Sequence, residues 1–344
     1  MCGFAGILNL DKRAVNRNVV LEMTNQLSHR GPDSEGYYVK ENIGLGHKRL
    51  SILDLSENGN QPMVSKDGKF VLVYNGCVYN FKELRAGLEK ESVVFKSNSD
   101  TEVILEGMAK YGFGFVERLN GMFAFALWNV EERKLTIVRD RFGVKPLYYW
   151  NNGKSFVFAS EIKGILKHPD YKISLNKNAL NEYFTFQNLF SDNTLFADIK
   201  LLPAGYSVFI NSNNGDVQEI RWWDFNFSEP NEKLSFEDAK EETMNGLRNA
   251  VSSQLVSDVP LGAYLSGGMD SGSITAIASA QMNRLYTFTC GFDMSAVTGV
   301  EMNYDERKDA ELIANHFKTE QYELVINAGD LRWSLPKVVW HLED

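Results

Sequence analysis

Apolar positions follow one rhythm up to about residue 205 and another beyond residue 235. In the first stretch, short runs rich in β-branched and aromatic residues are separated by turn residues. Phe70–Tyr74, Phe123–Trp128, Lys134–Arg139, Pro146–Trp150 and Phe156–Ala159 predict strands. Asn152-Gly153, between the last two, is a hairpin signal. Asp100–Tyr111 instead repeats apolar residues at helical spacing (Val103, Ile104, Met108, Tyr111) behind Ser99 or Asp100 as a cap. This half predicts layered sheets with helices packed outside.

Two polar, turn-rich stretches follow, Asn211–Asn214 and Ser228–Lys233, and they predict the domain junction. The expected division is a first domain over 1–210, a linker over 211–234 and a second domain over 235–344. Ser235-Phe236-Glu237-Asp238 resembles a capping box opening a helix to about Leu255. An apolar strand (Val259–Leu265), a glycine turn and a helix (Ser271–Met282) come next. Then follow a strand (Leu285–Cys290), a helix (Asp305–Phe317) and a strand (Gln321–Ile326). Strand and helix alternating in this way predict a parallel, doubly wound α/β sheet.

Composition narrows the class. At 344 residues, two domains are the natural expectation. A net charge of −9 gives no electrostatic footprint for nucleic acid. No apolar run approaches the roughly 18–20 residues needed to span a bilayer. The first apolar stretch ends at Asp11 without a basic leader, which argues against a secretory signal. Three cysteines (Cys2, Cys77, Cys290) form no disulfide framework or metal spacing and suit a reducing cytoplasm. The five histidines are scattered without ligand spacing.

Two places carry chemistry. Removal of Met1 would make Cys2 the N-terminus. A terminal cysteine brings its own base, because a free α-amine has a pKa of roughly 7.7–8.0 and can take the thiol's proton. The second place is Leu265-Ser266-Gly267-Gly268-Met269-Asp270-Ser271, between a buried-type strand and a helix start. Such a loop offers backbone N–H groups and a helix N-terminus to an anion. No lysine follows the glycines and there is no GxGxxG, so neither common nucleotide motif fits. Ser-Gly-Gly-Xaa-Asp-Ser resembles the pyrophosphate loop of the ATP pyrophosphatases.

Together these segments resemble the glutamine-dependent asparagine synthetases. The likeness runs through Met1–Ile7, His29–Asp33, Gly46–Ile52, Gln61–Met63, Tyr74–Gly76, Ser99–Glu102, Asn120–Ala124, Arg139–Gly143, Lys145–Tyr149, Ala159–Glu161 and Ser266–Ser271. It implies an N-terminal-nucleophile αββα sandwich bearing a class II glutamine amidotransferase, followed by an ATP-pyrophosphatase domain. By resemblance, Cys2 attacks the glutamine amide, and the Asn75 side chain and Gly76 N–H form the oxyanion hole. Arg49 would hold the glutamine α-carboxylate, with Leu50, Ser51, Ile52 and Leu53 lining the pocket beside it. Asp100 would accept from the α-ammonium.

In the second domain the resemblance implies ATP held by Leu265, Ser266, Gly267, Gly268, Asp270, Ser271 and Cys290. Asp270 would take Mg²⁺, and aspartate would be activated as β-aspartyl-AMP. Asp305-Glu306 adds acidic residues at the next helix start, as helix starts commonly do. The expected product is asparagine, and the expected assembly a cytoplasmic homodimer. A homologous ligase acting on another carboxylate and a protein without synthetase activity are the alternatives.

Two departures from the family pattern stand out. Cys77 occupies the position after Asn-Gly where the family usually has Glu, so a weakened ammonium site is expected, and a disulfide with Cys2 is conceivable only if the thiols approach. The chain also ends at Asp344, before a second Gly-rich, acidic segment of the family, which predicts a C-terminally truncated synthetase domain.

Overall fold

The computed structural model describes residues 1–227, 234–294 and 305–343. The chain forms two compact units, Met1–Asn226 together with Glu343, and Phe227–Leu342. The boundary corrects the expected linker over 211–234. Residues 211–226 carry a further strand and belong to the first unit. That strand, Val-Gln-Glu-Ile-Arg, is exposed along its whole length, so it shows no buried face to reveal it in sequence.

Two six-stranded sheets build the first unit. One contains β1 (Gly3–Asn9), β2 (Ser34–Lys40), β3 (Ile43–Arg49), β8 (Tyr148–Asn151), β9 (Ser155–Ala159) and β10 (Ile199–Leu201), in the order β10-β8-β9-β1-β3-β2. The other contains β4 (Met63–Val64), β5 (Phe70–Val78), β6 (Gly121–Asn129), β7 (Lys134–Arg139), β11 (Tyr206–Asn211) and β12 (Val217–Arg221), in the order β12-β11-β7-β6-β5-β4.

Strand alternation sorts the side chains of β1 between two cores. Phe4 and Leu8 join Leu45, Val71, Val73, Trp128, Ile137 and Phe158 in a core shared by both sheets. Ala5 and Ile7 face the other way, packing with Val20, Met23 and Leu27 of α1 (Arg17–Asn25) and its turn, and with Ile162 and Ile165 of α4 (Ile162–Ile165). Helices α2 (Phe81–Lys90) and α3 (Asp100–Tyr111) flank the second sheet, while α5 (Lys177–Phe186) follows α4. The result is the expected αββα sandwich. Helix α3 begins where its cap predicts, with the Ser99 hydroxyl accepting from the Glu102 N–H.

The second unit carries a three-stranded parallel sheet, β13 (Gly262–Tyr264), β14 (Tyr286–Phe292) and β15 (Glu320–Ile326), in that order. Helices α6 (Phe236–Gln254), α7 (Met269–Ser279) and α8 (Arg307–Phe317) accompany it. The first strand is shorter than the apolar run 259–265 suggests, and α7 starts two residues before Ser271. Helix α9 (Ala328–Leu342) was not foreseen, and none of its residues is buried. Among the described residues, no helix is long and apolar enough to cross a membrane.

Candidate active site

The β1–β3 register pairs Gly3 with Lys48, which carries Cys2 to the end of β3 beside Arg49 and Leu50. The Leu50 N–H lies 3.4 Å from Cys2 Sγ, and the thiol donates to the Leu50 carbonyl at 3.6 Å. The Cys2 carbonyl accepts from Arg30 Nε at 2.9 Å, and Arg30 is held by Glu161 at 2.7 Å. Lys163 supports that carboxylate at 2.6 Å. A buried ion chain therefore fixes the main chain of the first strand.

Cys2 opens into a pocket of about 140 Å³ that also exposes Arg49, Asn75, Gly76, Cys77, Asp100 and Lys145. Met1 forms part of its wall. Asn75 and Gly76 come from β5, which is tied to the other sheet when His47 Nε2 donates to the Tyr74 carbonyl at 3.0 Å. Burial keeps that imidazole neutral, with its pKa lowered to about 4. Gln61 adds a second tie by accepting from the Tyr74 N–H at 2.6 Å.

Asn75 is 1% exposed, and its Nδ2 has no hydrogen-bond partner. A buried amide donor without an acceptor costs about 1–3 kcal/mol, so an orphan beside a thiol is chemically informative. Only glycine fits next to it. A Cβ on Gly76 would lie 2.3 Å from the Met122 carbonyl oxygen and 2.7 Å from the Tyr74 ring.

Asp100 is buried at the start of α3. Its Oδ2 accepts from the Tyr74 hydroxyl at 2.6 Å and from the Val78 N–H at 2.9 Å. Burial raises its pKa despite those two donors. Burial also raises the Cys2 thiol, and it pushes the Cys77 thiol up to about 12, with Asp100 adding to the effect. All three cysteines are free thiols.

Arg49 is placed at the pocket, but its fork is occupied. Nη1 donates to the Ser56 carbonyl (2.7 Å) and Asn60 Oδ1 (2.9 Å), and Nη2 donates to the carbonyls of Leu53 (3.3 Å) and Asp54. Leu50, Ile52 and Leu53 line the pocket. Ser51 does not, and its N–H donates to Asp33 at 2.7 Å. Sequence reading assigned no role to Lys145, Tyr74 or Gln61, all of which line the pocket. All three stand inside motifs of the resemblance, but the Tyr74 bond to Asp100 depends on a fold contact that no spacing reveals.

In the second unit, residues 265–271 do form the junction between β13 and α7. Leu265 is buried, with its N–H on the Phe288 carbonyl (2.9 Å) and its carbonyl on the Thr289 hydroxyl (2.8 Å). Cys290 follows on β14 and is exposed. Ser271 Oγ folds back to the Ser266 N–H (3.2 Å) and the Gly268 carbonyl (3.2 Å), closing the loop on itself. Gly267 sits at φ +81°, and a Cβ there would lie 2.7 Å from Asp309 Cβ. Ser266, Gly268 and Asp270 are exposed at the N-terminus of α7. Asp305, expected as an acidic helix start, is engaged instead by Arg307 at 2.6 Å.

Known proteins match both units. A glutamine amidotransferase domain profile covers residues 1–223, and an asparagine synthase profile covers 243–344. A putative glutamine-hydrolysing asparagine synthetase 2 of Methanocaldococcus jannaschii is 34% identical over 364 residues, covering 99% of this chain and 68% of that protein. The chain belongs to the glutamine-hydrolysing asparagine synthetase family.

Asparagine synthetase 1 of Bacillus subtilis is 36% identical over 349 residues, spanning 100% of this chain and 53% of that family member. The chain thus spans about half the length of that curated relative. Among solved structures, glutamine phosphoribosylpyrophosphate amidotransferase from B. subtilis aligns with a TM-score of 0.51 at 15% identity. It covers 96% of this chain and 92% of its own, a likeness of fold.

Proposed function

We propose that the first unit hydrolyses glutamine at Cys2 and that the second belongs to an ATP-dependent ligase forming asparagine from aspartate. The observation that carries the first part is the unpartnered Asn75 Nδ2, buried in the pocket that Cys2 lines. A donor held without an acceptor is suited to a charge that develops only during reaction.

Cys2 Sγ attacks the side-chain carbonyl carbon of glutamine. The resulting oxyanion takes Asn75 Nδ2 and the Gly76 N–H, ammonia leaves, and water hydrolyses the thioester to glutamate. Removal of Met1 clears one wall of the pocket and frees the Cys2 α-amine to act as base. Arg49 supplies positive charge for the α-carboxylate by exchanging some of its loop carbonyls for it. Asp100 takes the α-ammonium.

In the second unit, Ser266, Gly267, Gly268 and Ser271 receive the pyrophosphate of ATP, with Leu265 and Cys290 near the nucleotide through their backbone. The exposed loop at the N-terminus of α7 supports an anion there. Among the described residues, no group of three or more His, Cys, Asp or Glu could hold a metal. Asp270, exposed at the N-terminus of α7, would be the protein carboxylate for an Mg²⁺ ion carried on the phosphates, which would offset their charge. Glutamine, aspartate and ATP are the partners of this reading, and a homodimer in a cytoplasm that keeps the thiols reduced belongs to it.

A paired assay tests both parts by following glutamate release from glutamine and aspartate-dependent pyrophosphate release from ATP. Glutamate without aspartate-dependent pyrophosphate would retain the first part and reject the second. Absence of glutamate release would reject the first.

A further inference from the structure

Lys145 lines the Cys2 pocket, and the attack, oxyanion and substrate-holding roles assigned to the other lining residues leave it without a part in the hydrolysis. It is 7% exposed, and its Nζ lies 3.1 Å from the Met1 sulfur. A thioether is a weak acceptor, a poor match for a buried ammonium. Asp140 lies nearby, but its carboxylate takes the backbone N–H groups of Phe123, Phe142, Val144 and Lys145 at 3.0–3.1 Å. The ammonium therefore faces the space that Met1 fills.

Charged groups reach the Met1 amine and the Cys2 thiol from several elements. Arg30 comes from the turn after α1, Asp33 from the turn before β2, Arg49 from the end of β3, Asp100 from α3 and Lys145 from the loop before β8. Glu161 neutralises Arg30, and Asp33 is bound by the Ser51 N–H. Burial lowers the Met1 amine at the same place, with Arg30 and Lys145 adding to that effect against Cys2 and Asp33.

We propose that Lys145 is a positioning residue for the hydrolysis of glutamine: with Met1 removed, its ammonium faces the Cys2 α-amine and holds that amine neutral, ready to accept the thiol's proton. The proposal rests on the glutaminase reading above. Burial lowers the Lys145 ammonium, with Arg30 adding to the effect and Asp140, Cys77 and Cys2 opposing it, and burial lowers the N-terminal amine as well. Because a lysine starts at about pH 10.4 and an α-amine at about 7.7–8.0, Lys145 keeps the proton. A second cation in the same pocket is then disfavoured. The Sγ–C bond forms as the proton passes from Sγ to the amine, and the C–N bond breaks as that proton passes from the amine to the leaving nitrogen, which departs as ammonia.

The test uses the processed protein and its Lys145→Met, Lys145→Gln and Lys145→Arg variants, compared by the pH dependence of glutaminase kcat/KM. Mass-mapped alkylation of Cys2 by iodoacetamide across the same pH range is the second readout and needs no turnover. Both neutral variants are expected to move the acid limb of both profiles up by about 0.5–1 pH unit, with KM unchanged on the plateau. Below the limb this is a loss of about 3–10-fold. Lys145→Arg, which keeps the charge, is expected to restore the wild-type limb. Unmoved limbs in a folded neutral variant, or no restoration by arginine, overturn the proposal. A shifted alkylation limb in a protein that releases no glutamate would support Lys145 and reject the glutaminase reading.

Discussion

Replacing Asn75 with alanine separates catalysis from stability more cleanly than any other change in this pocket. The side chain is 1% exposed, and its Nδ2 bonds to nothing in the resting structure. Deleting it relieves the cost of an unpaired buried donor, about 1–3 kcal/mol. The lost packing and the small void cost a similar amount. The two nearly cancel, so the melting temperature is expected to stay within about 4 °C of wild type. Rate behaves differently, because an oxyanion donor acts only in the transition state. Its loss typically lowers kcat by about 10²–10³, equivalent to about 2.7–4 kcal/mol. Glutamate release measured with saturating glutamine, beside thermal unfolding, gives both numbers. A kcat within threefold of wild type would refute the oxyanion role. A fall of 10 °C or more would show that Asn75 is structural.

Asp100→Asn is expected to raise KM for glutamine by about 3–10-fold with little change in kcat, since Asp100 Oδ2 is already shared between Tyr74 and Val78 and bonds the ammonium only weakly. In the wild type, KM should climb on the acid side at a pH above the usual carboxylate range, because burial raises the Asp100 pKa. The same sign makes its ionisation cost stability at neutral pH, so Asp100→Asn should melt no lower than wild type at pH 7. Gly267→Ala forces a Cβ into a left-handed position 2.7 Å from Asp309 Cβ. It should abolish aspartate-dependent pyrophosphate release while leaving glutaminase rates intact, and equal loss of both would contradict the assignment of that loop.

Legibility in the sequence tracked how locally each feature is determined. The Lys134–Arg139 strand and the Asp100–Tyr111 helix have the bounds that periodicity and capping indicated. Strand β1 was not read, because Gly3, Ala5 and Gly6 blur its alternation even though every residue in it is buried. Strand β12 escaped for the opposite reason, having no buried side. In the pocket, Cys2, Asn75, Gly76, Cys77 and Asp100 do converge as the motifs implied. Motifs could not show that the Arg49 fork is spent on its own loop, nor that Lys145 reaches back to the first residue. Both facts depend on how loops fold back, the Leu53–Asn60 segment onto Arg49 and the loop of Lys145 onto Met1, and no residue pattern encodes that.

On the proposed glutaminase reading, charge balance in the pocket predicts that Cys77 sets donor selectivity. Free glutamine brings one carboxylate and one ammonium. The lining offers Arg49 to the first and only Asp100 to the second. Asp100 Oδ2 is already shared between Tyr74 and Val78. Cys77 adds no negative charge, because its thiol is pushed up to about 12. The ammonium therefore contributes little to binding, and the pocket should discriminate weakly against a donor that lacks it. Glutaramate, which is glutamine without the α-amine, tests this directly. Its kcat/KM should fall within about tenfold of that of glutamine. Cys77→Glu should lower KM for glutamine by about 10–100-fold, the equivalent of one charged hydrogen bond, and leave glutaramate unchanged or worse. If the wild type already rejects glutaramate by 10³, Asp100 alone suffices and the thiol at 77 has no part in selectivity.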